Sequence, residues 1–376
     1  MTKFVETETK SILIKRKFRD NWFWDRYVIN PYRGCQFACS YCDAVTEKYL
    51  IHENYKDFSR RIYVKKNAPL VLEKEIKKYK PDVIAISGVT DPYQPAEEEY
   101  GLTRKILEVL AGHRFSVHII TKSDLVLRDI DLLKEISKHA WCTVSFTIIT
   151  FNKKLLPYLE PFALPPEKRL KAVEELNKAG IQAGVNLIPI VPYLSDTSCN
   201  IEEMIKKASE NAKYILIGTS MTLRSNQRIR FLKLLKKNFP ELLVKYEGLY
   251  GEQENPPEDY ILELNRCAFG FCKKYGIKNY IQPPNFERPF KENFEVANHL
   301  LLIAFFKEFK LKDIYSAWAY HKVAYKIEGL NKSIDDIHKR GELKKIPGVG
   351  ESIAKVIEDF LVNGESEKLK DEMDSI

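Results

Sequence analysis

Asn30-Pro31-Tyr32-Arg33-Gly34-Cys35-Gln36-Phe37-Ala38-Cys39-Ser40-Tyr41-Cys42 follows a short β-rich run, Tyr27 to Ile29, and strings three thiols along spacers of three and two residues. Three thiolates so spaced can wrap one face of a compact iron–sulfur cluster whose fourth iron keeps no protein ligand. An open metal position is what catalysis needs, because a cofactor or substrate can bind there. A structural zinc knuckle is the alternative. It requires a fourth ligand nearby, for which His52 is the candidate. The other cysteines, Cys142, Cys199, Cys267 and Cys272, are scattered. Seven cysteines in 376 residues do not read as a disulfide framework, so a reducing, cytoplasmic setting is expected.

Working outward, from residue 80 short β-rich runs alternate with longer helical patterns. Strands are expected at Val83 to Ile86, Ser116 to Ile120, Cys142 to Ile148, Gln182 to Ile190 and Tyr214 to Ile217. Helices are expected between them, at Glu97 to Leu110, Arg128 to Lys138, Pro166 to Ala179 and Ile201 to Asn211. Such repeats imply a parallel sheet with right-handed crossovers. The reading is an α/β fold, a partial (β/α)6 barrel. A helix at Glu258 to Tyr275 lies between Pro-rich loops, and from Phe294 the pattern is all-helical. Two domains are therefore expected, 1–290 and a small all-α domain at 291–376.

No run reaches about 18 uninterrupted apolar residues, and the opening Met1-Thr2-Lys3-Phe4-Val5-Glu6 has no apolar core. Neither a membrane span nor a secretory signal is expected. The net charge of +8 is unevenly placed. Residues 291–376 hold 14 Lys and Arg against 16 Asp and Glu, while the first 290 hold 46 against 36. A footprint for a polyanion would lie mainly on the larger part.

Cys-x3-Cys-x2-Cys with an aromatic, Tyr41, before the last cysteine resembles the signature of the radical S-adenosylmethionine (SAM) superfamily. The surrounding words resemble its spore-photoproduct-lyase-related branch, the DNA repair photolyase-like proteins. The likeness continues through Thr90-Asp91-Pro92-Tyr93-Gln94-Pro95, Tyr100-Gly101-Leu102-Thr103-Arg104, Thr121-Lys122-Ser123, Leu159-Glu160-Pro161 and the helix of Arg169. It spans roughly residues 20–220.

This resemblance implies a [4Fe–4S] cluster on Cys35, Cys39 and Cys42 whose open iron chelates the amino and carboxylate groups of SAM. An electron from a donor such as a flavodoxin or ferredoxin would cleave the C5′–S bond. Methionine and a 5′-deoxyadenosyl radical would result, and the radical would abstract a substrate hydrogen. Ser87-Gly88-Val89-Thr90-Asp91 stands where the superfamily has its glycine-rich methionine-binding segment, although the usual Gly-Gly-Glu wording is not kept. Gly88 would let the backbone approach, and Asp91 would accept from the cofactor ammonium. Later strand ends should complete the cofactor site, since barrel ligands gather at that face. Ser145 is the expected ribose contact, Arg169 or Lys122 the carboxylate contact, and Asn186 a further contact. Spore photoproduct lyase has another tyrosine where Asp43 stands, and its hydrogen-returning cysteine follows the cluster motif more closely than Cys142 does. The branch implies DNA or RNA as substrate, for lesion repair or base modification, with a protein or small molecule as the alternative.

Ile346-Pro347-Gly348-Val349-Gly350-Glu351-Ser352-Ile353-Ala354-Lys355-Val356-Ile357 matches a helix-hairpin-helix pattern, whose glycines allow a tight turn and whose helix start can bind a phosphate. Residues 295–376 resemble the small N-terminal domain of family X DNA polymerases. Gly348, Gly350 and Ser352 are the expected phosphate contacts, with the carbonyls of Lys344, Ile346 and Val349 available to a bridging monovalent cation. The Schiff-base lysine of that family falls on Val356, and a phosphate-pocket lysine on Ser352, so its lyase chemistry is not implied.

Overall fold

The computed structural model describes residues 2–86, 88–218, 220–310 and 313–375. The chain divides into two compact units, residues 1–15 with 27–281 and residues 16–26 with 282–376.

The first unit begins with β1 (Lys3–Thr7), β2 (Ile14–Lys15), β3 (Tyr27–Ile29), β4 (Tyr32–Arg33) and β5 (Arg61–Lys65). A small sheet forms from β1 parallel to β5 and β4 antiparallel to it. The main series follows: α1 (Ala68–Glu75), β6 (Val83–Ile86), α2 (Ala96–Tyr100), α3 (Leu102–Gly112), β7 (Ser116–Thr121), α4 (Ile130–Ser137), β8 (Cys142–Thr147), α5 (Leu156–Leu159), α6 (Pro166–Lys178), β9 (Gln182–Leu187), α7 (Ser198–Asn211) and β10 (Ile215–Ile217). It ends with α8 (Ser225–Asn238), α9 (Leu243–Tyr250) and α10 (Glu258–Tyr275). The larger sheet runs β10-β9-β8-β7-β6-β3-β2. Every pair from β3 to β10 is parallel, and β2 alone is antiparallel. This is the expected partial (β/α)6 arrangement.

Two boundaries differ from the sequence reading. The helix expected over 97–110 is broken at Gly101, which takes φ +60°. The buried carboxylate of Glu97 accepts from the Thr103 N–H and Tyr32 Oη across that break. The strand expected to reach Ile190 stops at Leu187, since Pro189 has no N–H to continue a ladder.

Alternation along the strands separates two faces. Cys142, Val144 and Phe146 join the apolar cluster that also contains Leu133, Ile136, Val173 and Leu176 of α4 and α6. Thr143, Ser145 and Thr147 alternate with them and are also buried. There the ring of Tyr214 occupies space that only a glycine leaves free, because a Cβ on Gly184 would lie 2.4 Å from it.

The second unit contains α11 (Lys291–Phe309), α12 (Ile314–Glu328), α13 (Ile334–Lys339), α14 (Glu351–Asn363) and α15 (Glu367–Asp374). Helix α11 is buried along nearly its whole length, which explains its apolar character on all sides. The sequence reading put residues 16–26 with the first domain, but they pack within this unit. The Trp22 ring lies 5.2 Å from Phe305 and 5.0 Å from Phe309, and its Nε1 donates to Glu308 at 2.8 Å. Arg19 and Arg26 both reach Glu328, at 2.6 and 2.5 Å.

Within this unit, burial lowers the His299 imidazole from 6.5 to about 4, and its Nε2 lies 2.7 Å from Ser366 Oγ. Folded protein therefore keeps a neutral ring where the unfolded chain takes a proton. Stability should fall as the pH drops from about 6.5 toward 4, because the unfolded state binds more protons there. Denaturant titrations of His299→Gln should lose this part of the slope; an unchanged slope would refute it.

Candidate functional site

The cysteine loop is fixed from three directions. Gly34 holds φ +85°, and a Cβ there would lie 2.7 Å from the Phe58 carbonyl oxygen, so no other residue fits. The Cys35 N–H donates to that same oxygen at 2.9 Å. Gln94 then clamps the loop, accepting from the Gln36 N–H and donating to the Gly34 carbonyl, each at 3.0 Å.

From the opposite direction comes α8. Arg224, just before it, makes two bonds to Asp43, at 2.8 and 2.5 Å. Gln227 donates to the Tyr41 carbonyl at 2.7 Å, and Arg230 to the Ala38 carbonyl at 2.5 Å. Sequence reading missed this brace. Its signal was three polar residues, each three positions apart, in a stretch to which the sequence reading assigned no element. Asp43 thereby gains a partner of its own. Arg230→Ala should leave the fold intact yet reduce iron retained after reconstitution several-fold, with unchanged melting temperature; equal iron would exclude the bracing role.

All three thiols are unpaired, Cys39 buried and Cys35 and Cys42 half-buried. Burial pushes Cys39 up to about 12, and burial together with nearby Asp91 and the other thiols raises Cys35. Thiolates here need a cation to stabilise them, and a cluster provides it. Among the described residues no three His, Cys, Asp or Glu side chains close on a single ion. His52 Nε2 is engaged with the Arg61 carbonyl oxygen at 2.8 Å.

Beside the loop lies a buried ionic set. Tyr41 Oη donates to Glu160, and Glu160 pairs with Arg169. The Arg169 guanidinium also donates to the carbonyls of Thr147 and Leu164, each at 2.6 Å, so all three of its nitrogens are engaged within the chain. Lys122 differs. Its ammonium lies 5.7 Å from the Tyr41 ring centroid and has no hydrogen-bonded or ion-pair partner among the described residues. Burial works against its charge, but Cys39, Glu160 and Asp91 outweigh burial and hold it above the ordinary range. A half-buried cation so placed is a ready partner for a carboxylate.

The glycine-rich segment is tied down by its own polar groups. Asp91 accepts from the Tyr93 N–H at 2.9 Å, Thr121 Oγ1 at 2.7 Å and the Lys122 N–H at 2.7 Å. A carboxylate has about four acceptor sites, so one remains. Thr90 Oγ1 donates to the Tyr32 carbonyl at 3.1 Å. Gly88 adopts φ +116°, a conformation that requires glycine. Ser87 lies outside the described residues.

Ser145 and Asn186 stand at different depths. Cross-strand pairing sets Ser145 opposite Gly184 and Thr147 opposite Asn186, so Asn186 is two residues closer to the strand ends. The Ser145 hydroxyl already contacts His118 Nε2 and Tyr214 Oη, each at 2.7 Å. Asn186 is buried, and its Oδ1 finds no partner among the described residues. An orphaned buried acceptor near the end of a strand fits a polar cofactor with hydroxyl donors. Cys142 sits on the helix-facing side of β8, Cys272 in the core of α10 and Cys199 on the surface. Cys267 Sγ points to Ser198 Oγ at 3.8 Å.

In the second unit the hairpin ends at Gly350, the N-cap of α14, a residue with no side chain to cap the first-turn N–H groups. Gly348 holds φ +93°. Ser352 and Lys355 are exposed and Val356 is buried. Glu351 stands in that first turn and pairs with Lys344. The Ile346 carbonyl accepts from the Val349 N–H at 3.0 Å, leaving one lone pair for a cation.

Comparison with known proteins agrees with this geometry. Residues 29–208 match the radical SAM superfamily, and residues 291–366 match a helix-hairpin-helix domain. An uncharacterized protein of Methanocaldococcus jannaschii is 37% identical over 219 residues, which cover 57% of this chain and 77% of that one. An uncharacterized protein of Mycobacterium tuberculosis is 29% identical over 261 residues, 69% of this chain and 77% of that one. A spore photoproduct lyase variant with bound AdoMet and dinucleoside spore photoproduct shares the fold, with TM-score 0.57 and 14% identity over 74% of this chain and 82% of its own. The chain thus belongs to the radical SAM superfamily, enzymes whose cofactors are a [4Fe–4S] cluster and SAM, and it bears a helix-hairpin-helix domain after that core.

Proposed function

We propose that the enzyme directs radical chemistry at a nucleic acid, DNA or RNA, repairing a lesion or modifying a base. The observation that carries this reading is one chain joining a radical SAM core to a hairpin whose following helix starts at a glycine N-cap, with no side chain of its own to cap it. Free N–H groups at a helix start, approached over a glycine, suit a sugar-phosphate backbone. The first unit's excess of basic residues supports the same class of partner. A solved structure of the same fold holds a dinucleoside ligand, which supports the same class of partner.

When bound, the cluster and SAM supply the electron and the 5′-deoxyadenosyl radical that begins the reaction. The chain's own side chains position and shield. Cys35, Cys39 and Cys42 hold the cluster, braced by Gln94 and Arg230. Lys122 pairs with the cofactor carboxylate, since Arg169 is committed to Glu160. The remaining lone pair of Asp91 takes the ammonium, and the strand end at Gly88 admits the methionine backbone. Asn186 Oδ1 accepts a ribose hydroxyl, while Ser145 acts one layer deeper by holding His118 and Tyr214. A reducing cytoplasmic setting and a flavodoxin- or ferredoxin-type donor complete the reading.

The test is deuterium transfer. Anaerobically reconstituted protein with reductant, SAM and an oligonucleotide deuterated in its bases and sugars should yield deuterated 5′-deoxyadenosine. Unlabelled product whose yield no nucleic acid alters, but a protein or small-molecule extract raises, would replace this substrate class.

A further inference from the structure

Helix α8 and the short α5 both hold the cysteine loop by its backbone. Arg230 of α8 donates to the Ala38 carbonyl, and the Leu159 carbonyl at the end of α5 accepts from the Ser40 N–H at 2.9 Å. The rings of Tyr158 and Phe239 meet edge-on at 5.1 Å and join the two elements. Residues 224–238 carry six basic side chains and no acidic one. Three of the six are engaged, Arg224 with Asp43, Arg228 with the Gly251 and Gln253 carbonyls, and Arg230 with the loop. Lys233, Lys236 and Lys237 are exposed and have no hydrogen-bonded or ion-pair partner among the described residues. Lys233 stands one turn beyond Arg230, and Lys237 about 10 Å along the helix axis from it.

Ile229 shares a helix face with Lys233 and Lys236, since these positions are three or four apart. It is 57% exposed, and beyond Tyr158 the ring of Phe162 is 69% exposed. The face thus runs from Ile229 along the lysines to Phe239 and Tyr158, and on to Phe162. Apolar groups bordered by unpaired cations have the anatomy of a docking site for an acidic partner. What has to dock here follows from the cluster. Electron tunnelling through protein falls off exponentially with distance, so a carrier must settle against the polypeptide that holds the cluster. The strand ends with Asp91, Lys122 and Asn186 are taken by the cofactor, and the substrate must lie beyond it. Two other supports of the loop remain, and charge separates them. The helix that follows Gln94 exposes Glu98 and Glu99, whereas α8 exposes only cations. A nucleic acid would also seek those cations, but its reacting base has to reach the strand ends rather than the supports of the loop.

We propose that the face of α5 and α8 receives an acidic one-electron carrier of the flavodoxin or ferredoxin class, with Lys233, Lys236 and Lys237 steering it and Ile229 and Phe162 seating it. This rests on the cluster being held by Cys35, Cys39 and Cys42, and not on the substrate class. One electron leaves the reduced carrier, which is oxidised, and enters the resting cluster, which is reduced. No bond is made or broken and no proton moves. Electron-transfer encounters are small and short-lived, so steering by charge counts for more in them than contact area. The brace through Arg230 gives the docked carrier a direct covalent and hydrogen-bonded route from α8 to the loop.

The full-length, cluster-loaded protein is titrated with an acidic flavodoxin and, separately, an acidic ferredoxin, with binding read by calorimetry at several salt concentrations. Wild type should bind at least one of them, more weakly as salt rises. A variant combining Lys233→Glu, Lys236→Glu and Lys237→Glu should bind that carrier at least about tenfold more weakly, with unchanged iron content. Its 5′-deoxyadenosine formation should fall when the carrier is the reductant. With dithionite, which needs no docking site, it should stay at the wild-type rate. Phe162→Ala should weaken carrier binding several-fold and leave its salt dependence unchanged. Carrier binding and carrier-driven product equal to wild type in the lysine variant would overturn the proposal. So would a wild type that binds neither carrier yet makes product with dithionite. Loss of oligonucleotide affinity in the lysine variant, with carrier binding untouched, would assign the face to nucleic acid instead. If fully loaded wild type makes no product even with dithionite, the cluster reading itself fails and this face falls with it.

Discussion

Cys39→Ala should retain little iron and form no 5′-deoxyadenosine above the background of a cofactor-free control. Cys39 is the most buried of the three thiols, and Ser40 behind it is fixed by its N–H to the Leu159 carbonyl at 2.9 Å. The loop therefore cannot shift another ligand into the vacated place, and two cysteines do not retain a cluster with an open iron. Cys142→Ala provides the contrast, since Cys142 faces the helices on β8. It should keep full iron and product, at a modest cost in stability. Iron content and product formation measured together decide the matter. Wild-type product from Cys39→Ala, or its loss from Cys142→Ala with full iron, would remove the cluster from this loop.

The second large effect concerns stability. Glu328 is held below the usual carboxylate range because Arg19 and Arg26, with Arg288 at 3.6 Å, outweigh the cost of its burial. Glu328→Ala would remove the carboxylate that the buried Arg19 and Arg26 share with Arg288. Breaking a buried pair from one side costs about 3–5 kcal/mol, so the helical unit should unfold first and at much lower denaturant. Its loss should leave cluster loading in the first unit unchanged. A change below about 1 kcal/mol would mean that water already screens the arginines.

The sequence disclosed much of the fold, unevenly. The strands from β6 to β8 and helix α10 were legible because burial imposes a period of two or of 3.6 on neighbouring residues. Sheet β1-β5-β4 was not, since Lys3 pairs with Arg61 across a separation that local pattern does not encode. The three cysteines stood out by their spacing, whereas the Asp91 segment was marked by the resemblance alone. The choice between Ser145 and Asn186 could not be read from either. It depends on depth along adjacent strands and on which polar atoms other side chains have already occupied. Likewise Arg169 and Lys122 look equivalent as charges in a sequence, and the pairing of Arg169 with Glu160 is visible only in the structure. The Trp22 segment carried no signal that it belonged with residues far downstream.

That segment constrains how such a protein comes to exist. Residues 16–26 leave the ribosome long before the helices that enclose Trp22, so their rings and guanidinium groups must wait, uncovered, until almost the entire chain has been made. A gene joined simply at its 3′ end to a ready-made helical module would lack this piece. The two halves have instead grown to share a thread, and a module cut away at residue 282 should be an incomplete protein rather than a portable one.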